Sequence, residues 1–171
     1  MRGVAVVSWG LLVVGFASGT AHAEPGDHGD HGEPVPPAAQ VSTINGVVPE
    51  GILAPLEEVS TMIDTIDVHG QRIVVFQGVR KPGTRAPIHI HEHGGVTCVL
   101  RGTMTDFVEG HERMTFPAGT CYYMPPNVPM AAANLGTEDV FITDTFTLPQ
   151  GAPIMTVIEP GWTDPDIDDA G

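Results

Sequence analysis

The chain of 171 residues carries seven Lys or Arg against 21 Asp or Glu, a formal net charge of −14, and two cysteines. That sign excludes a nucleic-acid binder or a ligand of anionic membrane surfaces, since both need Lys and Arg to neutralise phosphate. The length suits one domain with a single buried core.

Residues 1–23 read as a secretory signal peptide: Arg2 gives a positive start, Val4 to Ala17 is almost continuously apolar, and "AHA" at Ala21 to Ala23 is a small-x-small cleavage site before Glu24. The run falls short of the ~18–20 apolar residues a bilayer span needs. No basic cluster follows it, so no stable membrane insertion is expected after cleavage and the chain is expected to be secreted or periplasmic, in the cell envelope. Residues 24–50 then repeat Gly-Asp-His and turn proline-rich, with no apolar residue before Val35, the composition of a disordered linker. His28 and His31, with Asp27 and Asp30, are read as part of a solvated linker rather than as a weak metal site, because nothing fixes their geometry.

Residues 51–160 form the expected domain. One or two helical turns are read near Leu53 to Glu58. From about Val59 onward short β-branched runs alternate with turns: "TMIDTIDV", "QRIVVFQGV", "PIHIH", "VTCVLRG", "TMTDFV", "RMTFP", "TCYYMP" and "DVFITDTFTL", separated by segments such as "KPGT", "HGG", "PAG" and "PPN". Many short strands joined by tight turns imply an all-β antiparallel sandwich or barrel. Residues 161–171 are an acidic tail, with Trp162 expected to pin its start against the barrel. Cys98 and Cys121 either pair as a disulfide, which an oxidising compartment permits, or pack as two buried thiols; metal ligation ranks third.

"PIHIHEHGG" concentrates the chemistry. Alternate residues of a strand share a face, so His89 and His91 project together, and His93 joins them if the strand continues to Gly94. Closely spaced imidazoles are poor core packing and good transition-metal ligands. Of Tyr122 and Tyr123, one is expected inside and one outside. Arg85 and Arg101 flank the histidine strand and are read as surface salt-bridge partners. His69 and His111 lie in turns and receive no role. No Gly-x-Ser-x-Gly elbow, phosphate-binding glycine loop or His-Glu-x-x-His sequence is present.

The region from Ile63 to Leu148 resembles the two motifs of the cupin superfamily. Gly83, His89, His91 and Gly102 match the spacing Gly-x5-His-x-His-x3 or 4-Glu-x6-Gly, and Gly119, Pro125 and Asn134 match Gly-x5-Pro-x-Gly-x2-His-x3-Asn. Gly95 stands where the family places a metal-binding Glu, Met130 where it places a third His, and Asn127 replaces a glycine. The resemblance implies a single jelly-roll β-barrel, a homodimer, and a divalent transition metal (Zn, Cu, Fe, Mn or Ni) on His89 and His91. His93 or Met130 are the candidates to complete the ligand set, although Met130 reads more readily as core lining. It further implies a small-molecule ligand or substrate. The role it implies is that of a metal-dependent enzyme on a small oxygenated molecule, or else that of a non-catalytic small-molecule or copper/zinc-binding protein of the cell envelope.

Overall fold

The computed structural model describes residues 39–163. The expected signal peptide, His28 and His31, the linker up to residue 38 and the tail from residue 164 lie outside the described residues.

In chain order the strands are β1 (Ile52–Leu53), β2 (Glu57–Ile66), β3 (Arg72–Arg80), β4 (Thr84–Arg85), β5 (His89–Ile90) and β6 (Gly95–Arg101). They continue with β7 (Thr103–Val108), β8 (Met114–Pro117), β9 (Cys121–Met124), β10 (Met130–Ala133), β11 (Val140–Leu148) and β12 (Thr156–Val157). One antiparallel sheet runs β2-β3-β11-β6-β9; the other runs β1-β4-β10-β5-β12, with β7 bonded to β10 and β8 to β7. Their inner faces enclose one apolar core that includes Val74, Val99, Met104, Val108, Met130, Phe146 and Leu148. This is the all-β antiparallel barrel expected from the alternating runs, in the jelly-roll form that the resemblance implies. In β11, Ile142, Asp144, Phe146 and Leu148 point inward while three threonines point out, the period of two that a half-buried strand imposes.

Two expectations change, and one strand was not expected. No helical turn forms near Leu53 to Glu58: β1 and the start of β2 occupy that stretch, and the Leu56 side chain lies where a Cβ on Gly78 would fall, 2.3 Å away. Residues 41–50 of the expected linker belong with the barrel, because Ile44 is buried against Ile88, Ala131 and Ile158, and the Val41 N–H donates to Ile158 O. β10 carries no β-propensity signal, being "MAAA"; its alanines are used because Ala131 and Ala133 are completely buried between neighbouring segments.

Cys98 and Cys121 are direct partners across β6 and β9 and are joined as a disulfide. It lies on the outer face of the five-stranded sheet, together with Ile63, Ile73, Val75, Val96, Leu100, Phe141, Tyr123 and the threonines of β11. Charge enters this face at one end, where Arg101 lies 5.6 Å from the centre of the Phe141 ring and β2 begins with Glu57 and Glu58.

Two packing features can be tested. A Cβ on Gly95 would come within 2.5 Å of the Phe146 ring and 2.8 Å of the Met124 methyl. Gly95→Ala is therefore expected to destabilise the fold by about 1–3 kcal/mol in urea denaturation, and Phe146→Leu in the same background to recover part of that loss. Asp106 is 2% exposed on the inner face of β7, and one of its carboxylate oxygens has no partner. Burial pushes its carboxyl up to about 7, whereas an unfolded aspartate titrates near ~3.9. Between those values the folded state keeps a proton that the unfolded state has released, so stability falls as pH rises through that window. Asp106→Asn is expected to melt above the parent at pH 8, by about 2–4 kcal/mol, and to lose the advantage near pH 4.

Candidate functional site

The short strand β5 presents His89 inward and Ile90 to the other side, where Ile88 and Ile90 join the smaller apolar cluster with Ile158. The chain leaves the sheet after Ile90, yet His91 still turns inward and is 4% exposed. A C-terminal strap, residues 154–162, holds this strand. Thr156 and Val157 pair with Ile90 and His89, the Ile158 N–H donates to Ile88 O, and Glu159 takes two hydrogen bonds from Arg85 and one from the Ile88 N–H, all at 2.7 Å. The Thr156 hydroxyl donates to Glu92. Asn127, at φ 59°, sits in the left-handed turn expected of a glycine replacement, and its N–H donates to His91 O.

The backbone around the two imidazoles fixes their protonation. His89 Nδ1 lies 2.7 Å from Pro87 O, and His91 Nδ1 lies 2.7 Å from Ile154 O. A carbonyl oxygen only accepts, so each Nδ1 carries the hydrogen and donates it, which leaves each neutral ring with a lone pair on Nε2. Burial pushes His89 down to about 3, helped by the neighbouring His91, and it lowers His91 as well; both rings are therefore neutral at pH 7. The two Nε2 atoms face each other at 3.1 Å, with the rings at 87°. Two lone pairs at that separation repel unless a cation is shared between them. A backbone acceptor on the remote nitrogen is the arrangement that orients metal-binding imidazoles.

The histidines open on a cavity of about 250 Å³ inside the barrel. Its walls are mostly apolar, with Leu56, Phe76, Ile142, Phe146, Met104 and Met124 among them, and its polar groups are the histidines, Arg80, Thr97, Tyr122, Asp144 and Trp162. Thr97 Oγ1 donates to Asp144, and burial raises the Asp144 carboxyl to about 6. Tyr122 stacks on Phe116 with ring centres 4.4 Å apart, and burial raises its hydroxyl well above the usual tyrosine range.

His89 and His91 thus meet as expected, and Tyr122 and Tyr123 divide inside and outside. His93 does not join them: the strand ends at Ile90, and His93 is exposed on the following turn. Met130 is 2% exposed within the apolar core, directly opposite His89 in the β10–β5 ladder, and does not line the cavity. At Gly95, Phe146 occupies the space a carboxylate ligand would need, and its ring centre is 5.0 Å from that of His91. Among the described residues no cluster of three or more His, Cys, Asp or Glu is placed to hold a metal. The donors present fit a metal through two imidazoles, with solvent or ligand supplying the remaining positions. Arg85 is a buried partner of Glu159 rather than a surface ion pair, and Arg101 rests on Phe141. Sequence reasoning missed Arg80, Asp144 and Thr97; the signal was available as polar residues at inward positions of alternating strands.

The sequence pattern described as Cupin domain matches residues 67–146. No curated protein matches the chain. Among solved structures, the chain is similar to a conserved protein with a double-stranded β-helix domain from Klebsiella pneumoniae, at 24% identity over 58% of this chain and 82% of that one, TM-score 0.48. It is similar to a cupin-like protein from Thermotoga maritima at 22% over 59% and 74%, TM-score 0.49. It is also similar to the DMSP lyase DddQ from Ruegeria pomeroyi at 15% over 61% and 53%, TM-score 0.49. With the family pattern falling on β3 to β11 and both motifs placed on the jelly-roll barrel that they describe, residues 67–146 form a cupin domain.

Proposed function

We propose that the barrel holds one divalent transition metal on His89 and His91 and admits a small oxygen-bearing molecule to the cavity beside it. The observation that carries this reading is the pair of Nε2 lone pairs, converging at 3.1 Å with both remote nitrogens committed to backbone carbonyls. A bound metal supplies Lewis acidity with open coordination positions. Around it Pro87 O and Ile154 O orient the rings, the apolar walls exclude water, and Asp144, held by Thr97 and titrating near neutrality, is placed to take or return a proton at its carboxylate. The leader-like sequence of residues 1–23 and the Cys98–Cys121 disulfide support the reading of an exported chain, since disulfides persist outside the cytoplasm. Phe146 in the place of a carboxylate ligand favours a second reading, a non-catalytic binder in which the two imidazoles only anchor the metal and its ligand.

A homodimer is part of the same proposal, formed through the outer face of the five-stranded sheet. Two chains of net charge −14 meet with least repulsion across a surface whose charged side chains are confined to one end. Five strands about 4.8 Å apart and some seven residues long present roughly 600 Å² per copy. Doubled, that reaches the lower bound of about 1,200 Å² for a specific interface.

Two measurements test these statements. Elemental analysis of the exported, untagged chain is expected to find about one metal per chain, lost in His89→Ala, His91→Ala with unchanged circular dichroism; equal metal in parent and variant refutes the site. Sedimentation equilibrium is expected to show a dimer that Val96→Glu, Leu100→Glu converts to monomer and that Val48→Glu, on a different exposed patch, leaves intact. A monomeric parent, or a dimer indifferent to the sheet substitutions, refutes the interface.

A further inference from the structure

Two N–H donors lining the cavity have no acceptor. Arg80 is 5% exposed; its Nη1 donates to Ala54 O at 2.7 Å and Pro55 O at 3.0 Å, while its Nε–H has no partner. Arg80 takes part in none of the ion pairs among the described residues. Burial lowers it only to about 10, so it stays a cation at neutral pH. Trp162, delivered to the same cavity by the strap, also has a buried and unpartnered Nε1–H. An unpaired buried donor costs about 1–3 kcal/mol, and more when it is charged. Asp144 does not remove the mismatch, because its Oδ1 accepts from Thr97 and it makes no ion pair with Arg80.

We propose that the cavity receives a small carboxylate with an apolar body, its oxygens accepting from Arg80 and Trp162 and its hydrocarbon part lying against Leu56, Phe76 and Ile142. A guanidinium and an indole N–H are matched by one planar anion with two acceptor oxygens, and the surrounding walls reward an apolar remainder. This inference rests on the reading of the cavity as the ligand chamber and does not depend on the metal. A cavity of about 250 Å³ exceeds the ~150 Å³ that accommodates benzene in an engineered core, so benzoate is a suitable probe.

Calorimetric titration of the full chain, stripped of metal, compares benzoate, its neutral isostere benzamide, and toluene. Benzoate is expected to bind at least about tenfold more tightly than benzamide, the range a charge-assisted pair supplies. Trp162→Phe, which keeps a ring and removes the N–H, and Arg80→Lys are each expected to reduce that preference severalfold. Equal affinities for benzoate and benzamide overturn the carboxylate while leaving the cavity as a ligand chamber. A benzoate preference that survives both substitutions places the anion elsewhere and also overturns it. Binding of none of the three probes overturns the chamber itself.

Discussion

Arg85 and Glu159 join through two hydrogen bonds of 2.7 Å, with side chains only 6% and 10% exposed. Glu159 also caps the Ile88 N–H, which leaves the carboxylate well supplied with donors and holds its pKa below the usual range. Removing one partner of such a buried pair costs about 3–5 kcal/mol, because the survivor keeps its desolvation penalty. More than stability hangs on it. Together with the Ile88 bond the pair fastens the strap to β4 and to the residue before the histidine strand, and the strap brings the Ile154 carbonyl that fixes His91, the Thr156 hydroxyl that ties Glu92, and the Trp162 indole in the cavity. Arg85 therefore acts on the site without touching it.

Inside the barrel the polar groups are few and unevenly satisfied. The imidazoles have their outer nitrogens bonded and their inner ones free; Asp144 has one oxygen bonded by Thr97; Arg80 is tied at one nitrogen and bare at another. A purely structural core would have closed these groups on one another, since buried polar atoms are ordinarily paired. Here the groups with spare donors and lone pairs line one cavity among apolar walls, the composition that the proposed ligand chamber requires.

Much of this was legible before the structure. The alternation of β11 announces its buried face, and His-x-His on a strand already implies two imidazoles side by side. The motif spacings locate the turns at Gly83, Gly102 and Gly119, each with positive φ. What escaped did so for physical reasons. β10 is written in alanine, whose small size answers tight packing and not strand propensity. Whether His93 joins the other histidines depends on where β5 ends, and that is set by the turn at Glu92 and His93 and by the His91 and Asn127 backbones meeting. Arg85 and Glu159 stand 74 residues apart, and nothing local in either segment signals the other.

The strap is also the last described part of the chain. Ile154, Met155 and Trp162 all come from it, so a single segment near the end of the described residues supplies one wall of the cavity. One segment thus both closes the cavity and, through the Ile154 carbonyl, sets the ring of His91, so a change in the strap reaches the wall and the second imidazole together.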